Sequence, residues 1–119
     1  MKYNLFLIMI FFLMASTCKK AQQERATPSC INLKIDQIKA QPKWNPPAEV
    51  NEYIYNNKHV YLFSSNCCDQ FNMLYDENCT AICAPSGGFT GRGDGKCADF
   101  NEKAKHVRLV WKDDRAPIP

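Results

Sequence analysis

No hydrophobic run in this chain is long enough to cross a membrane as a helix. The longest apolar run, LFLIMIFFLM at residues 5–14, has ten residues, whereas a transmembrane helix needs about 20. This run therefore argues against a transmembrane helix and requires another explanation.

The segment from Ser29 onward lacks an excess of charge of either sign. It holds 11 basic and 11 acidic side chains, so the net charge of +3 arises from residues 1–28. Proteins that bind nucleic acids carry clustered positive charge that neutralises phosphates. We therefore expect no nucleic-acid partner.

Histidines are scarce, and the Cys-x-x-Cys motif is absent. Only His59 and His106 occur, and neither lies near a cysteine in the sequence, so the ligand spacing of zinc sites is not met. The missing Cys-x-x-Cys motif also disfavours a thiol-redox centre. No nucleophile elbow or zinc-protease helix motif is present. We therefore expect no metal, no cofactor and no catalytic residues, and hence a protein that is not an enzyme.

The start of the chain has the layout of a secretory signal peptide. A short positive head precedes the apolar run, and the small residues Ala15, Ser16 and Thr17 follow it directly before Cys18. This arrangement resembles a bacterial lipoprotein signal, which implies cleavage before Cys18 and a lipid on its thiol. Ordinary signal cleavage with an unmodified Cys18 is the alternative.

The predicted organisation has four parts. Residues 1–17 are the signal peptide, residues 18–28 the lipidated cysteine with a polar, flexible tether, residues 29–115 one small domain, and residues 116–119 a C-terminal tail. The mature chain is long enough for a single domain and no more.

Six cysteines follow Cys18, and an even number in a short exported chain indicates disulfide bonds. On an extended strand the neighbours Cys67 and Cys68 would point to opposite faces. We therefore expect different partners for them and disfavour a bond between the two. The candidate disulfide residues are Cys30, Cys67, Cys68, Cys83 and Cys97, with Cys67 and Cys68 joined to two of the other three.

One apolar stripe predicts a helix near the start of the domain. Ile31, Ile35 and Ile38 are spaced by four and three residues, as on one face of a helix. We expect this helix over residues 30–40, with Ser29 as its N-cap.

A run of aromatic and β-branched segments predicts an antiparallel meander. Strands are expected over residues 50–55, 59–64, 71–75 and 80–84. A short helix should then begin at Asp99, which forms a capping box with Glu102. A last strand is expected around residues 107–111. Asn56 and Asn57 suit the tight turn of the first hairpin. The expected fold is α+β: an N-terminal helix packed on a small antiparallel sheet of about four or five strands, with a Gly-rich loop, and stabilised by disulfides.

All five glycines of the chain lie in residues 85–96, PSGGFTGRGDGK. Glycine at this density predicts a loop, and loops often carry function. The candidate binding residues are Gly87, Gly88, Arg92, Asp94 and Lys96. The Arg-Gly-Asp tripeptide is too short to indicate adhesion, and the pattern fits neither a phosphate loop nor a calcium loop. The structural interpretation is a turn closed by a bond between Cys83 and Cys97.

Several blocks of the sequence resemble a known group of proteins. CCDQF at residues 67–71, ICAPSGG at 82–88 and GRGDGKC at 91–97 are similar to a family of small Bacteroidota lipoproteins of unknown function. The resemblance covers nearly all of the mature chain and implies a cell-envelope lipoprotein, but no activity. The family's turn usually has glycine where this chain has Cys79, which makes Cys79 a candidate free thiol. Lys19 and Lys20 stand where surface-export signals of this group have an acidic run, so we expect the periplasmic face of the outer membrane.

The expected function is that of a non-enzymatic envelope module. Its expected partners are the membrane, through the lipid anchor, and an envelope protein or glycan, through the glycine-rich loop. Two alternatives stay open: a small inhibitor of an envelope hydrolase such as a protease or lysozyme, and a thiol-redox or metal-binding factor.

Overall fold

The computed structural model describes residues 25–117. The elements are α1 (Ser29–Lys39), β1 (Glu49–Tyr55), β2 (Lys58–Phe63), β3 (Phe71–Asp76), β4 (Ala81–Gly87), α2 (Phe100–Lys103) and β5 (Lys105–Lys112). The predicted α+β fold is confirmed, with a helix at the start, five antiparallel strands and a short second helix. Within residues 25–117, no helix combines the length and hydropathy needed to span a membrane. The predicted signal peptide and Cys18 lie outside the described residues.

The five strands lie in the order β4-β3-β2-β1-β5. The first four form the predicted meander, and β5 returns to pair with β1. Asn56 and Asn57 make the first turn with φ of 51° and 61°, a conformation that asparagine tolerates better than most residues. β4 continues to Gly87, so the loop begins later than the glycine content suggests. The edge position of β4 permits Pro85 within the strand.

Helix α1 covers one face of the sheet with the predicted stripe. Ile31, Ile35 and Ile38 are all buried, and they form one core cluster with side chains of the sheet, among them Val50 and Tyr61. Burial of each such side chain contributes about 1.5–3 kcal/mol. The apolar spacing of α1 therefore determines which face of the helix packs against the sheet.

Neither helix is capped by the side chain that the sequence suggests. The N-cap of α1 is Pro28, whose extended backbone leads into the helix, so Ser29 already lies in the first turn and makes no capping bond. At α2 the backbone of Asp99 is the N-cap, but its side chain is used elsewhere. It accepts a hydrogen bond from the Tyr55 hydroxyl at 2.5 Å and pairs with Lys103 Nζ at 2.8 Å. These two contacts lower the pKa of Asp99.

The segment around α2 covers part of the opposite face of the sheet. Phe100 packs edge-on against Tyr53 and Tyr55, with ring centroids 5.0 and 5.3 Å apart. The disulfide between Cys83 and Cys97 joins this segment to β4 inside the same core cluster. The sheet therefore has apolar packing on both faces.

The six cysteines of residues 25–117 form three bonds, and two of them differ from the expected pairing. The pairs are Cys30–Cys79, Cys67–Cys68 and Cys83–Cys97. The expected bridges from Cys67 and Cys68 to more distant cysteines are wrong, because both residues lie between β2 and β3 and not on a strand. The argument from alternating strand faces therefore does not apply. Cys79 is not free, since the β3–β4 turn brings it to Cys30 at the start of α1.

Candidate functional site

The glycine loop (residues 88–96) folds back onto the end of β4. The N–H of Gly93 donates to the carbonyl of Gly87 at 3.0 Å, and the N–H of Asp94 donates to the carbonyl of Ala84 at 2.9 Å. A Cβ at Gly93 would stand 1.9 Å from the Ala84 oxygen, so no side chain fits there. The Cys83–Cys97 disulfide closes the base of the loop, as the structural interpretation requires. Backbone contacts and a covalent bond thus hold the loop in one conformation.

The two glycines among the candidate binding residues have a structural role. A Cβ at Gly87 would lie 2.4 Å from the carbonyl oxygen of Gln70, and one at Gly88 would lie 2.3 Å from the ring of Phe71. Both positions therefore allow the chain to pass close to β3. Their observed role is therefore the placement of the loop.

The three charged candidates divide into one internal and two external groups. Oδ1 of Asp94 accepts the N–H of Lys96 at 3.0 Å, which closes a turn inside the loop. Arg92 and Lys96 are exposed, and the contact of Arg92 within the loop is made by its backbone N–H, which donates to Oγ1 of Thr90 at 3.3 Å. The side chains of Arg92 and Lys96 can therefore meet a partner.

The sequence analysis missed Phe89, which lies at the tip of the glycine loop. It is 92% exposed, the highest value among the large apolar side chains of residues 25–117. Phe71, at 47% exposed, lies beneath the loop at Gly88. The available signal was an aromatic residue within a glycine-rich stretch that is too short to bury it.

A groove of about 260 Å³ opens between α1 and the strands β2 and β3. Its aromatic lining consists of Trp44, Phe63, Phe71 and Tyr75, and its amides are those of Gln37, Gln41, Asn66 and Gln70. Lys34 Nζ lies 4.2 Å from the centroid of the Tyr75 ring, and Trp44 Nε1 donates to Oε1 of Gln41 at 3.1 Å. Aromatic faces beside amides can take a ligand with both apolar and polar parts. Because Phe71 also contacts the glycine loop, the groove and the loop form one continuous surface.

A buried ionic cluster lies on the face that α1 covers, and the sequence analysis did not find it. Glu52 is fully buried between Nδ1 of His59 and Nε of Arg108, each 2.6 Å from a carboxylate oxygen. Burial, with the nearby Glu52 charge as the second cause, raises the pKa of Tyr61 to about 12. A buried carboxylate is tolerated when it is paired and hydrogen-bonded in this way. The available signal was spacing, because Glu52 lies two residues after Val50 and therefore on the same buried face of β1.

The same cluster fastens the start of the described chain to the sheet. Nη2 of Arg108 donates to the carbonyl of Arg25 at 3.0 Å and to Oγ1 of Thr27 at 2.9 Å. Arg25 also pairs with Glu77 beside the β3–β4 turn. Arg25 and Thr27, which belong to the last part of the predicted tether, are thus held on the sheet by specific polar contacts.

Both histidines take part in contacts of the framework. His59 belongs to the ionic cluster, and Nε2 of His106 lies 2.9 Å from Oδ1 of Asn51, with its ring packed against Tyr53. Over residues 25–117, no group of three histidine, cysteine, aspartate or glutamate side chains is placed to hold a metal ion.

Comparison with known proteins gives a family but no activity. No curated protein and no solved structure matches the chain. One family model does match, over residues 36–113, a range that includes all of the groove lining except Lys34, the glycine loop and all five strands. The chain therefore belongs to the family described as a domain of unknown function, DUF6970.

Proposed function

We propose that this protein is an exported lipoprotein of the cell envelope that binds an envelope protein or a glycan and catalyses no reaction. In this proposal residues 1–17 are removed, Cys18 carries the lipid, and a short tether holds the domain at the periplasmic face of the outer membrane. We also propose that the family match and the resemblance to small Bacteroidota lipoproteins describe the same group. The observation that carries the binding function is the continuous surface of glycine loop and groove around Phe71.

The use of cysteine supports export. All six cysteines of residues 25–117 are joined in pairs, and disulfides persist mainly in oxidising compartments outside the cytoplasm. None of these six is left to pair with Cys18 within the same chain. The complete pairing of these six cysteines agrees with a lipid on Cys18 rather than with a disulfide bond at Cys18.

The held conformation of the glycine loop supports binding. A partner that meets an ordered loop does not have to restrict it, so less conformational entropy is lost on association. Phe89 at the tip and Phe71 beneath it offer exposed aromatic area, and aromatic residues contribute disproportionately at protein interfaces. An aromatic ring exposed at the tip of an ordered loop favours contact with a partner over a role in folding.

The variants Phe71→Ala and Phe89→Ala test the binding surface. Leu33→Ala is the matched control, because Leu33 is 62% exposed on α1 but does not line the groove. The immobilised mature proteins are incubated with solubilised envelope proteins and, separately, with a glycan array. We expect the wild type and Leu33→Ala to retain the same partner, and at least one phenylalanine variant to bind it about tenfold more weakly, or about 1.4 kcal/mol.

The two variants also separate the two classes of partner. A protein partner should depend mainly on Phe89, which protrudes, whereas a glycan should depend mainly on Phe71, which lines the recessed groove. Equal binding by all four proteins, or an equal loss in Leu33→Ala, would argue against this surface. Absence of any partner for the wild type in both assays would argue against the binding function itself.

The lipid anchor is tested by intact-mass spectrometry of the protein from its native host. We expect the mature chain to begin at Cys18 and to carry diacylglycerol there, because the thiol follows the predicted cleavage site directly. Cys18→Ser should release the protein from the membrane fraction, whereas the neighbouring substitution Lys20→Ser should not. A mature wild-type chain without lipid on Cys18 would contradict the anchor.

The shape of the glycine loop favours one second candidate, a small inhibitor of an envelope hydrolase. The Cys83–Cys97 disulfide and the backbone bonds of Gly93 and Asp94 hold the loop while Phe89 protrudes. A loop of this kind can occupy a cleft without adapting to it. Inhibition of a panel of proteases and lysozymes should then occur with the wild type and weaken with Phe89→Ala, and a panel without any inhibition would eliminate this candidate.

A further inference from the structure

Two adjacent cysteines form an exposed disulfide at the rim of the groove. Cys67 and Cys68 lie in the β2–β3 connection with Cα atoms 3.7 Å apart, and both are exposed. We propose that this pair is a thiol–disulfide exchange site, reduced by a protein dithiol and reoxidised by a protein disulfide, and that its redox state controls the rim of the groove. This inference goes beyond the proposed binding function and does not depend on the identity of a ligand.

The Cys67–Cys68 bond cannot stabilise the fold in the way that the other two bonds do. Cys30–Cys79 joins residues 49 positions apart, and Cys83–Cys97 joins residues 14 positions apart. Each of these bonds restricts a long loop of the unfolded chain, whereas a bond between residues one position apart closes only a small ring within those two residues. Stability therefore gives no reason for the Cys67–Cys68 bond, which favours a chemical role.

Accessibility separates this bond from the other two. Cys83 and Cys97 are 2% and 4% exposed, and the Cys30–Cys79 pair packs against the core cluster around α1. Thiol–disulfide exchange requires a thiolate to reach a sulfur atom directly. A protein dithiol can approach the exposed pair in the folded protein, whereas Cys30–Cys79 is only partly exposed and the buried Cys83–Cys97 bond becomes reachable only after local opening.

The position of the pair links its chemistry to the groove. The flanking residues Asn66 and Gln70 both line the groove. The N–H of Gln70 donates to the carbonyl of Cys67 at 3.0 Å, and the carbonyl of Gln70 accepts the N–H of Gly88 at 3.0 Å. The ring closed by the disulfide restricts the backbone between the two cysteines. When the ring opens, this turn gains freedom that reaches the groove and the glycine loop through Gln70.

The exchange balances in electrons and atoms. A thiolate of the partner attacks Sγ of Cys67 or Cys68 and forms a mixed disulfide with it. The Sγ–Sγ bond breaks at the same time, and the other cysteine leaves as a thiolate that takes up a proton. The second thiol of the partner then attacks the mixed disulfide and releases the remaining cysteine as a thiol. The chain gains two electrons and two protons, and the partner dithiol loses them as it becomes a disulfide. Reoxidation is the reverse sequence with a disulfide partner.

The first test measures the order in which the bonds are reduced. The oxidised protein is treated with graded dithiothreitol, free thiols are blocked with N-ethylmaleimide at short intervals, and each cysteine is located by peptide mapping. We expect Cys67 and Cys68 to be labelled about tenfold faster than the other four, or more. Labelling of all six at one rate, or earlier labelling of either of the other two pairs, overturns the proposal. The Cys67→Ser/Cys68→Ser double variant should show only the slow labelling.

The second test identifies the class of partner. A thioredoxin that lacks its second active-site cysteine cannot resolve a mixed disulfide, so it traps the chain that it attacks. We expect a trapped complex through Cys67 or Cys68 in the wild type and none in the double serine variant. Absence of a complex, or a complex through another cysteine, overturns exchange with a protein dithiol at this site.

The third test asks whether the bond controls the groove. Trp44 lines the groove, and Trp111→Phe leaves it as the single tryptophan of the chain. Selective reduction should then shift the Trp44 emission, and it should not do so when Cys67 and Cys68 are serines. In the wild type, the NMR resonances of the backbone amides of Gln70 and Gly88 should also shift on selective reduction. Unchanged emission and unchanged resonances after reduction overturn the control of the groove.

Discussion

A single methyl group at Gly93 tests whether the glycine loop rests on β4 as closely as the structure indicates. In Gly93→Ala the new Cβ would stand 1.9 Å from the carbonyl oxygen of Ala84 and 2.8 Å from the carbonyl carbon of Pro85. Both neighbours are backbone atoms, so neither can rotate away as a side chain would. The loop must therefore move away from the strand, and this movement can be measured as a loss of stability.

The expected loss has two parts. Alanine at the φ of +76° found at Gly93 costs about 1–2 kcal/mol, because Cβ approaches the following carbonyl oxygen. Movement of the loop also weakens the two hydrogen bonds from the amides of Gly93 and Asp94, worth about 1 kcal/mol each. The free energy of unfolding should thus fall by about 3–4 kcal/mol, and in a domain of this size each kcal/mol lowers Tm by roughly 4–8 °C.

Gly91→Ala is the matched control. Gly91 has a similar φ of +74°, but an added Cβ would meet nothing within 4 Å. Only the backbone cost of about 1–2 kcal/mol should appear there. Urea unfolding of both variants with all disulfides intact should separate them by about 2 kcal/mol. If the two free energies agree within about 0.5 kcal/mol, the close approach at Gly93 is not real and the argument for an ordered loop fails.

Three further substitutions test the framework beneath this surface. Glu52→Ala removes the buried carboxylate that the partly exposed Arg108 and His59 contact, and it should lower the free energy of unfolding by about 2–3 kcal/mol. Glu49→Ala, at a half-exposed position, should change it by about 1 kcal/mol or less; similar urea midpoints would refute the difference. Hydrogen bonds from the Arg115 guanidinium lower the pKa of Asp113 to about 2 from 3.8. The Asp113 carboxylate therefore stabilises the fold fully at pH values above its pKa in the unfolded chain, and this stabilisation is lost as the pH falls through its pKa in the folded protein. Asp113→Asn should therefore flatten the acid side of a stability curve measured from pH 5 downward, and an unchanged slope would contradict this. Replacement of both Cys30 and Cys79 by serine should lower the free energy of unfolding by about 4 kcal/mol, because the unfolded chain gains the entropy of the released loop. A loss below about 1 kcal/mol in urea unfolding would refute this.

Local patterns predicted the elements of the fold because each is governed by residues close together in the chain. The isoleucine stripe of α1 lies where its spacing placed it, and the aromatic segments became β1, β2 and β3 within one residue at each end. Asn56 and Asn57 adopt the positive φ values that the first hairpin requires. Such features depend on backbone geometry and burial of one face, both of which the order of residues expresses directly.

The site was less predictable because it depends on contacts between distant segments. The glycine loop was identified from composition, yet Phe71 and Phe89 gain their importance only when the loop lies across β3. The groove requires the packing angle of α1 against β2 and β3, which no local pattern encodes. The cysteine pairing failed for the same reason, since the partner of Cys30 is decided by where the β3–β4 turn meets the helix. Sequence reasoning therefore located the candidate binding loop but not its neighbours.

The attachment of the tether and the candidate binding surface lie at opposite ends of the sheet. Arg25 lies beside the β1–β2 and β3–β4 turns, in a depression that Asn57 and Glu77 also line, whereas the groove lies at the far end of β2. Strand β2 runs Lys58–Phe63, so at about 3.3 Å per residue its two ends are roughly 17 Å apart. The chain between Cys18 and Arg25 can span at most about 25 Å. Under the proposed anchor, the polar contacts of Arg25 thus hold one end of the domain near the lipid and leave the end with the groove and glycine loop free to meet a partner.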